Sequence, residues 1–145
     1  MLLSVALSCV AEPKTTYVGD NRAVMYELPD ATHVKGLIVV LPGCNHRATD
    51  WWVHSDGCTS CIGLPIELFT VRKMLQRNFA VAVVTSQAAC FSPATDMYYL
   101  QESIKSMKTI IEPSKAVGHH DLPVFLYGIS GGGSFAGYVV LVALV

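Results

Sequence analysis

Residues 124–132 have the sequence VFLYGISGG, in which an apolar run leads directly into a Gly-x-Ser-x-Gly pattern. This pattern predicts a buried strand, a sharp turn that carries Ser130, and a helix, which together form a nucleophile elbow. Glycines favour such a turn because neighbouring side chains would clash in it. The turn would raise the Ser130 hydroxyl above the sheet and direct the Gly131 N–H towards the same point. The alternative is a glycine-rich turn that only packs closely or binds a phosphate at a helix N-terminus.

Other apolar runs predict the strands that accompany this one. Continuous apolar runs are typical of strands buried on both faces of a parallel sheet. A more polar, alternating run predicts a half-exposed strand near the start of the chain. The continuous runs are residues 36–41, 79–84 and 124–127, and the alternating run is residues 23–28.

Two segments between these strands carry apolar residues at helical spacing. They are residues 64–75, where Pro65 suits the first turn, and residues 97–111. Asp96 is placed to cap the second helix, and Pro113 is placed to end it. Strands and helices that alternate in this way predict the α/β class, with a parallel sheet and helices on both faces.

The composition describes one apolar-rich domain with few charges. Of the 145 residues, 52% are hydrophobic and 14% are charged, which favours a large buried core. The net charge is −1 and no basic cluster occurs, so no nucleic-acid partner is expected. No apolar run reaches the roughly 18 residues that a spanning helix needs, so we expect no stable membrane span.

The first eleven residues are nearly all apolar or small and predict a secretory signal peptide, residues 1–11, ahead of a domain at residues 12–145. The alternative is a buried N-terminal segment in a cytoplasmic protein. Four cysteines remain in the domain and fit two disulfides in an oxidising compartment, whereas in the cytosol they would be free thiols. We therefore expect a secreted protein. The four are Cys44, Cys58, Cys61 and Cys90.

A second candidate feature is the sequence LPGCNH at residues 41–46. Loops that follow parallel strands meet at one edge of the sheet, so this loop is expected beside Ser130. A tetrahedral oxyanion needs two N–H donors, and we predict that Gly131 supplies one and Cys44 the other. Gly43 would let the backbone approach the substrate. The alternative is a plain turn that ends the strand.

Together these segments resemble the α/β-hydrolase superfamily. Within it, LPGCNH followed by Thr49-Asp50-Trp51 resembles the secreted polyhydroxybutyrate-depolymerase and feruloyl-esterase group. The resemblance implies a serine esterase without metal or cofactor, in which Ser130 forms an acyl-enzyme with a small-molecule or polymer ester. Candidate substrate-binding residues at this edge are Asn45, His46 and Trp51.

The chain also departs from that group. Pro42 stands where the group commonly has histidine. The acid and histidine partners of the serine follow it in this fold, and only residues 131–145 follow Ser130. We therefore expect residues 12–145 to be the N-terminal portion of such a domain, incomplete after the elbow and impaired in hydrolysis. The strand before Ser130 would then be an exposed sheet edge through which copies could associate.

Other histidines are weaker candidates for a general base. His119 and His120, with Asp121, precede the strand that ends at Ser130, which places them about 20 Å from the hydroxyl at the opposite edge of the sheet. We expect them in a solvated turn. His46 and His54 lie in the loop at the correct edge, where a surface or substrate-binding role is favoured over that of a base.

Two alternatives to an esterase remain. A protein that kept the elbow but lost its partner residues would be a non-catalytic binding protein. The motif Cys58-Thr59-Ser60-Cys61 could instead serve a thiol–disulfide oxidoreductase, although it lies far beyond the preceding strand. It lacks a second ligand pair for zinc. The simpler interpretation is a local disulfide, or a bridge between Cys44 and Cys90, which follow neighbouring strands.

Overall fold

The computed structural model describes residues 12–115 and 122–143. The predicted signal peptide, residues 1–11, and the predicted turn at residues 119–121 lie outside the described residues. The described part is α/β, with five strands, three α-helices and one short 3₁₀ helix. In chain order these are β1 (Lys14–Val18), β2 (Arg22–Glu27), β3 (Gly36–Leu41), the 3₁₀ helix (Ala48–Trp51), α1 (Pro65–Gln76), β4 (Phe79–Val84), α2 (Pro93–Lys115), β5 (Val124–Gly128) and α3 (Gly131–Ala143).

The strands form one sheet in the order β1-β2-β4-β3-β5, and the sheet is mixed. Strands β3, β4 and β5 are parallel, but β2 is antiparallel to both β1 and β4. The expectation of a wholly parallel sheet is therefore wrong. The pairing of β1 with β2 follows from a tight turn between them, in which Gly19 and Asn21 have φ values of 53° and 65°. Such left-handed conformations reverse the chain within a few residues and make the two strands antiparallel.

The helices cover both faces of the sheet, as expected. Helices α2 and α3 pack on one face, where Leu100, Met107 and Phe135 contact strand residues. Helix α1 and the 3₁₀ helix pack on the other face, where Val71 and Trp51 lie in a second cluster. No described helix is long and apolar enough to cross a membrane.

The helix boundaries differ in part from those predicted. Pro65 is the first residue of α1, as its fixed φ favours. Helix α2 begins at Pro93, so Asp96 lies within its first turn and does not cap it. It also continues to Lys115, two residues beyond the proline expected to end it.

Strand β5 lies at one edge of the described sheet. Its side chains alternate between half-buried and exposed. Phe125 and Tyr127 are 50% and 41% exposed, although the Phe125 ring contacts Phe79 edge to face. The edge position agrees with the sequence prediction, and the association of copies through this edge stays a prediction.

Candidate active site

The turn between β5 and α3 carries Ser130. Ser130 has a φ of 49°, a conformation that costs a non-glycine residue of order 1–3 kcal/mol and that occurs most often at functional sites. The Ile129 N–H before it donates to the Leu41 carbonyl at the end of β3, at 3.1 Å. The Ser134 N–H donates to the Ser130 carbonyl at 3.1 Å. The Ser130 side chain is exposed, and hydrogen bonds hold the backbone both before and after it.

Two glycines allow this turn to lie close to the sheet. A Cβ on Gly132 would overlap the Leu41 carbonyl, and a Cβ on Gly128 would lie 2.6 Å from the Gly133 Cα. These neighbours are backbone atoms and cannot move aside as a flexible side chain can. The start of α3 therefore approaches β3 only because position 132 has no side chain.

Replacing Gly132 with alanine is expected to lower the free energy of unfolding by about 3 kcal/mol, the upper range for forced overpacking. The same substitution at Gly137, in the same helix, is the control, because a Cβ there meets nothing within 4 Å. Gly137→Ala should raise stability by about 0.5–1 kcal/mol through helix propensity. Urea unfolding of both variants measures these changes in the free energy of unfolding. Equal effects at the two positions would contradict the close contact.

The loop after β3 brings the Cys44 N–H next to the start of α3. A Cβ on Gly131 would lie 3.7 Å from the Cys44 nitrogen and 2.6 Å from its Sγ. Among the described residues, neither the Cys44 nor the Gly131 N–H has a hydrogen-bond acceptor. Two unpaired donors therefore lie close together beside Ser130.

Disulfides hold this loop in place. Cys44 is bonded to Cys90, and the Asn45 N–H donates to the Ala89 carbonyl at 2.6 Å, so the loops after β3 and β4 are joined twice. Cys58 and Cys61 form a second, local disulfide. Both of the pairings considered from the sequence thus occur. Within the described ranges, no group of three metal-ligating side chains is present.

His46 is held by Asp50. The His46 Nδ1 lies 2.9 Å from Asp50 Oδ2, and the Arg47 N–H donates to the same oxygen at 3.1 Å. The Asp50 side chain is only 11% exposed, whereas that of His46 is 51% exposed. The sequence analysis did not give Asp50 a partner, although the separation of four residues between the two side chains was a signal for one.

Ser130 and His46 border the same gap. A Cβ on Gly43 would lie 3.6 Å from the Ser130 Cβ and 3.7 Å from the His46 Cδ2. The Cβ position itself lies within bonding distance of the Gly43 Cα, so a substrate would bind further out, over Gly43, between the two side chains.

A polar cleft of about 640 Å³ opens next to this gap. Asn45 and His46, two of the three predicted substrate-binding residues, line it. Trp51, the third, does not line this cleft: it is 2% exposed in the core, and its indole N–H has no partner among the described residues. Trp51 instead lines a second cavity, together with Trp52 and residues of α1, and its part in substrate binding stays a prediction. Other cleft residues are Arg47, Thr85, Ser86, Gln87, Ala88 and Ala89.

A buried ion pair supports the far wall of this cleft. The Arg22 guanidinium lies 2.7 Å from the Asp96 carboxylate, whose side chain is fully buried. Asp96 also accepts the N–H groups of Gln87 and Ser92 and the Thr95 hydroxyl. Burial alone raises the pKa of Asp96, but the hydrogen bonds from these groups and from Arg22 outweigh it and hold the pKa below its ordinary value.

No protein-family model matches this chain, and no curated protein matches it. The geometry around Ser130 therefore carries the functional conclusion.

Proposed function

We infer that the protein is a serine hydrolase of α/β-hydrolase type that cleaves carboxylic esters through an acyl-enzyme on Ser130. The observation that carries this proposal is the exposed Ser130 at a positive φ, beside two N–H groups that lack acceptors among the described residues. An N–H without an acceptor is ordinary at the first residue of a helix, so the feature that separates this turn from a plain one is the exposed, strained Ser130 beside the Cys44 loop.

The chemistry follows from this arrangement. The Ser130 Oγ attacks the ester carbonyl and forms a C–O bond, while the carbonyl oxygen becomes an oxyanion that accepts hydrogen bonds from Gly131 and Cys44. Collapse of this intermediate breaks the ester C–O bond and releases the alcohol. A water molecule then attacks the acyl-enzyme, which releases the acid and restores Ser130.

The topology of the sheet supports this proposal. Strands β3 and β5 are parallel neighbours, so the loops that follow them lie at the same edge, where sites form in α/β proteins. In α/β hydrolases the oxyanion donors come from the residue after the nucleophile and from the loop after β3. Gly131 and Cys44 occupy these two positions.

The other functions considered from the sequence have less support. A thiol–disulfide oxidoreductase needs an accessible thiol, but Cys58 and Cys61 are 8% and 2% exposed and bonded to one another. We propose that the protein is secreted, which the two disulfides support.

The test is covalent labelling of Ser130 with a fluorophosphonate probe, followed by mass spectrometry, and hydrolysis of p-nitrophenyl acetate. We expect one adduct on Ser130, and Ser130→Ala should lose both labelling and at least about 10³-fold of the hydrolysis rate. The control is Ser134→Ala, because Ser134 is an exposed serine one turn further along α3. In this variant Ser130 should be labelled at the wild-type rate. No adduct in the wild-type protein would overturn the proposal in favour of a non-catalytic binding protein.

A further inference from the structure

We propose that His46, held by Asp50, is the general base that takes the proton from Ser130, an inference that rests on the proposed function. Family resemblance places the base after the nucleophile in the chain, whereas these two residues precede it. Catalytic triads occur in several chain orders, including histidine first, then acid, then serine.

The contacts of His46 fix its ring in a form suited to this role. Asp50 Oδ2 lies 2.9 Å from the His46 Nδ1, and in the neutral imidazole this contact places the proton on Nδ1 and leaves the lone pair on Nε2. The buried carboxylate is held in turn by the Arg47 N–H. A neutral imidazole with its orientation fixed by a carboxylate is the arrangement that general-base catalysis by histidine uses.

The free edge of the ring lies next to Gly43, as the Ser130 side chain does. Cδ2, the ring atom bonded to Nε2, borders the gap above Gly43 at 3.7 Å from a Cβ placed on that glycine, and the Ser130 Cβ borders it at 3.6 Å. The Ser130 Cβ and the His46 Cδ2 therefore lie at most about 7 Å apart, a separation that rotation of the two side chains around a bound substrate can reduce to a hydrogen bond or to one bridging water. Half of the His46 side chain is exposed, so the ring can adjust when substrate enters.

Proton transfer balances in both half-reactions. As the Ser130 Oγ bonds to the carbonyl carbon, its proton moves to the His46 Nε2, and Asp50 stabilises the imidazolium. The imidazolium then gives this proton to the departing alkoxide, which leaves as the alcohol. In deacylation Nε2 takes a proton from the attacking water and returns it to the Ser130 Oγ.

The experiment measures the second-order rate of fluorophosphonate labelling at Ser130 in His46→Gln, in His46→Ala and in the control His33→Gln. His33 is exposed and lies between β2 and β3, away from Ser130. We expect the two His46 variants to label about 10²–10⁴-fold more slowly and His33→Gln to label at the wild-type rate. Added imidazole should restore at least tenfold of the rate in His46→Ala alone, because only that variant has space for it.

The outcomes separate this inference from the proposed function. Wild-type labelling at Ser130 with unchanged rates in both His46 variants would overturn the base assignment and leave the serine hydrolase intact. Slow labelling in His46→Ala without rescue by imidazole would also overturn it, because a structural role is not restored by a free base. Absence of wild-type labelling would overturn both. Thermal melting of each variant verifies that it folds. If His46→Ala does not fold, the labelling rate of His46→Gln alone tests the base assignment.

Discussion

Replacing Asp96 with asparagine is expected to lower the free energy of unfolding by about 3–5 kcal/mol, the range for breaking a buried ion pair. The carboxylate is fully buried and pairs with Arg22 at 2.7 Å. It also accepts hydrogen bonds from Gln87, Ser92 and Thr95. An asparagine has only one acceptor oxygen, and its NH2 group would be placed against N–H and O–H groups that themselves need an acceptor. Urea denaturation measures the loss.

Glu102→Gln is the control, because Glu102 lies on the same helix and its nearest basic partner, Lys105, is 3.8 Å away on the surface. It should change stability by less than about 0.5 kcal/mol. An effect of similar size at both positions would show that Asp96 has no special contribution.

The stabilisation by Asp96 should also depend on pH. The folded protein holds the pKa of Asp96 below its ordinary value, so the folded state favours the charged form. The contribution is fully present above the unfolded pKa, near pH 4, and is lost as pH falls through the lower folded pKa. Wild type and Asp96→Asn should therefore differ most near neutral pH and converge in acid. A difference that stays constant down to pH 2 would contradict the assignment.

Removal of the Cys44–Cys90 disulfide is the second change with a large expected effect. The bond joins residues 46 apart in the chain, and a loop of that size corresponds to about 4 kcal/mol in the chain-entropy account. Cys90→Ser should lower stability by this amount. Because Cys44 would then lose its anchor beside Gly131, labelling of Ser130 should also slow by about 10²-fold, as misplaced catalytic groups do.

Cys61→Ser is the matched control for this change. It breaks the Cys58–Cys61 disulfide, which spans only three residues and corresponds to about 2 kcal/mol. This bond lies away from the Ser130 turn, and its loss should leave labelling unchanged. Equal losses of labelling in the two variants would show that the disulfides act through global stability alone.

Much of the sheet was predictable from the sequence, because β3 and β4 are buried on both faces and their apolar runs are continuous. Strand β1 was missed because its residues, KTTYV, are mostly exposed and give no apolar signal. The wholly parallel sheet was wrong because β2 is antiparallel to both of its neighbours, β1 and β4. A hydrophobic pattern does not specify strand direction.

At the candidate site, the sequence predicted the backbone features and missed the side-chain partners. The sequence placed Ser130, Gly131 and Cys44 together because glycine spacing and strand ends fix where a backbone N–H lies, and the structure brings them close to one another; their catalytic roles stay predictions. The link between Arg22 and Asp96 spans 74 residues, and no local pattern indicates it. Trp51 was placed at the substrate because of the polar loop around it, and the sequence did not indicate that its large ring is buried in the core.

The hydrogen bond from Ile129 to Leu41 and the close approach of Gly132 to the same carbonyl join the two loops at their bases. The Ser130 turn and the start of the Cys44 loop are therefore attached to the same strand end, so a displacement of that strand end moves both together. The distance between the Ser130 turn and the Cys44 loop is therefore preserved while the surrounding surface fluctuates.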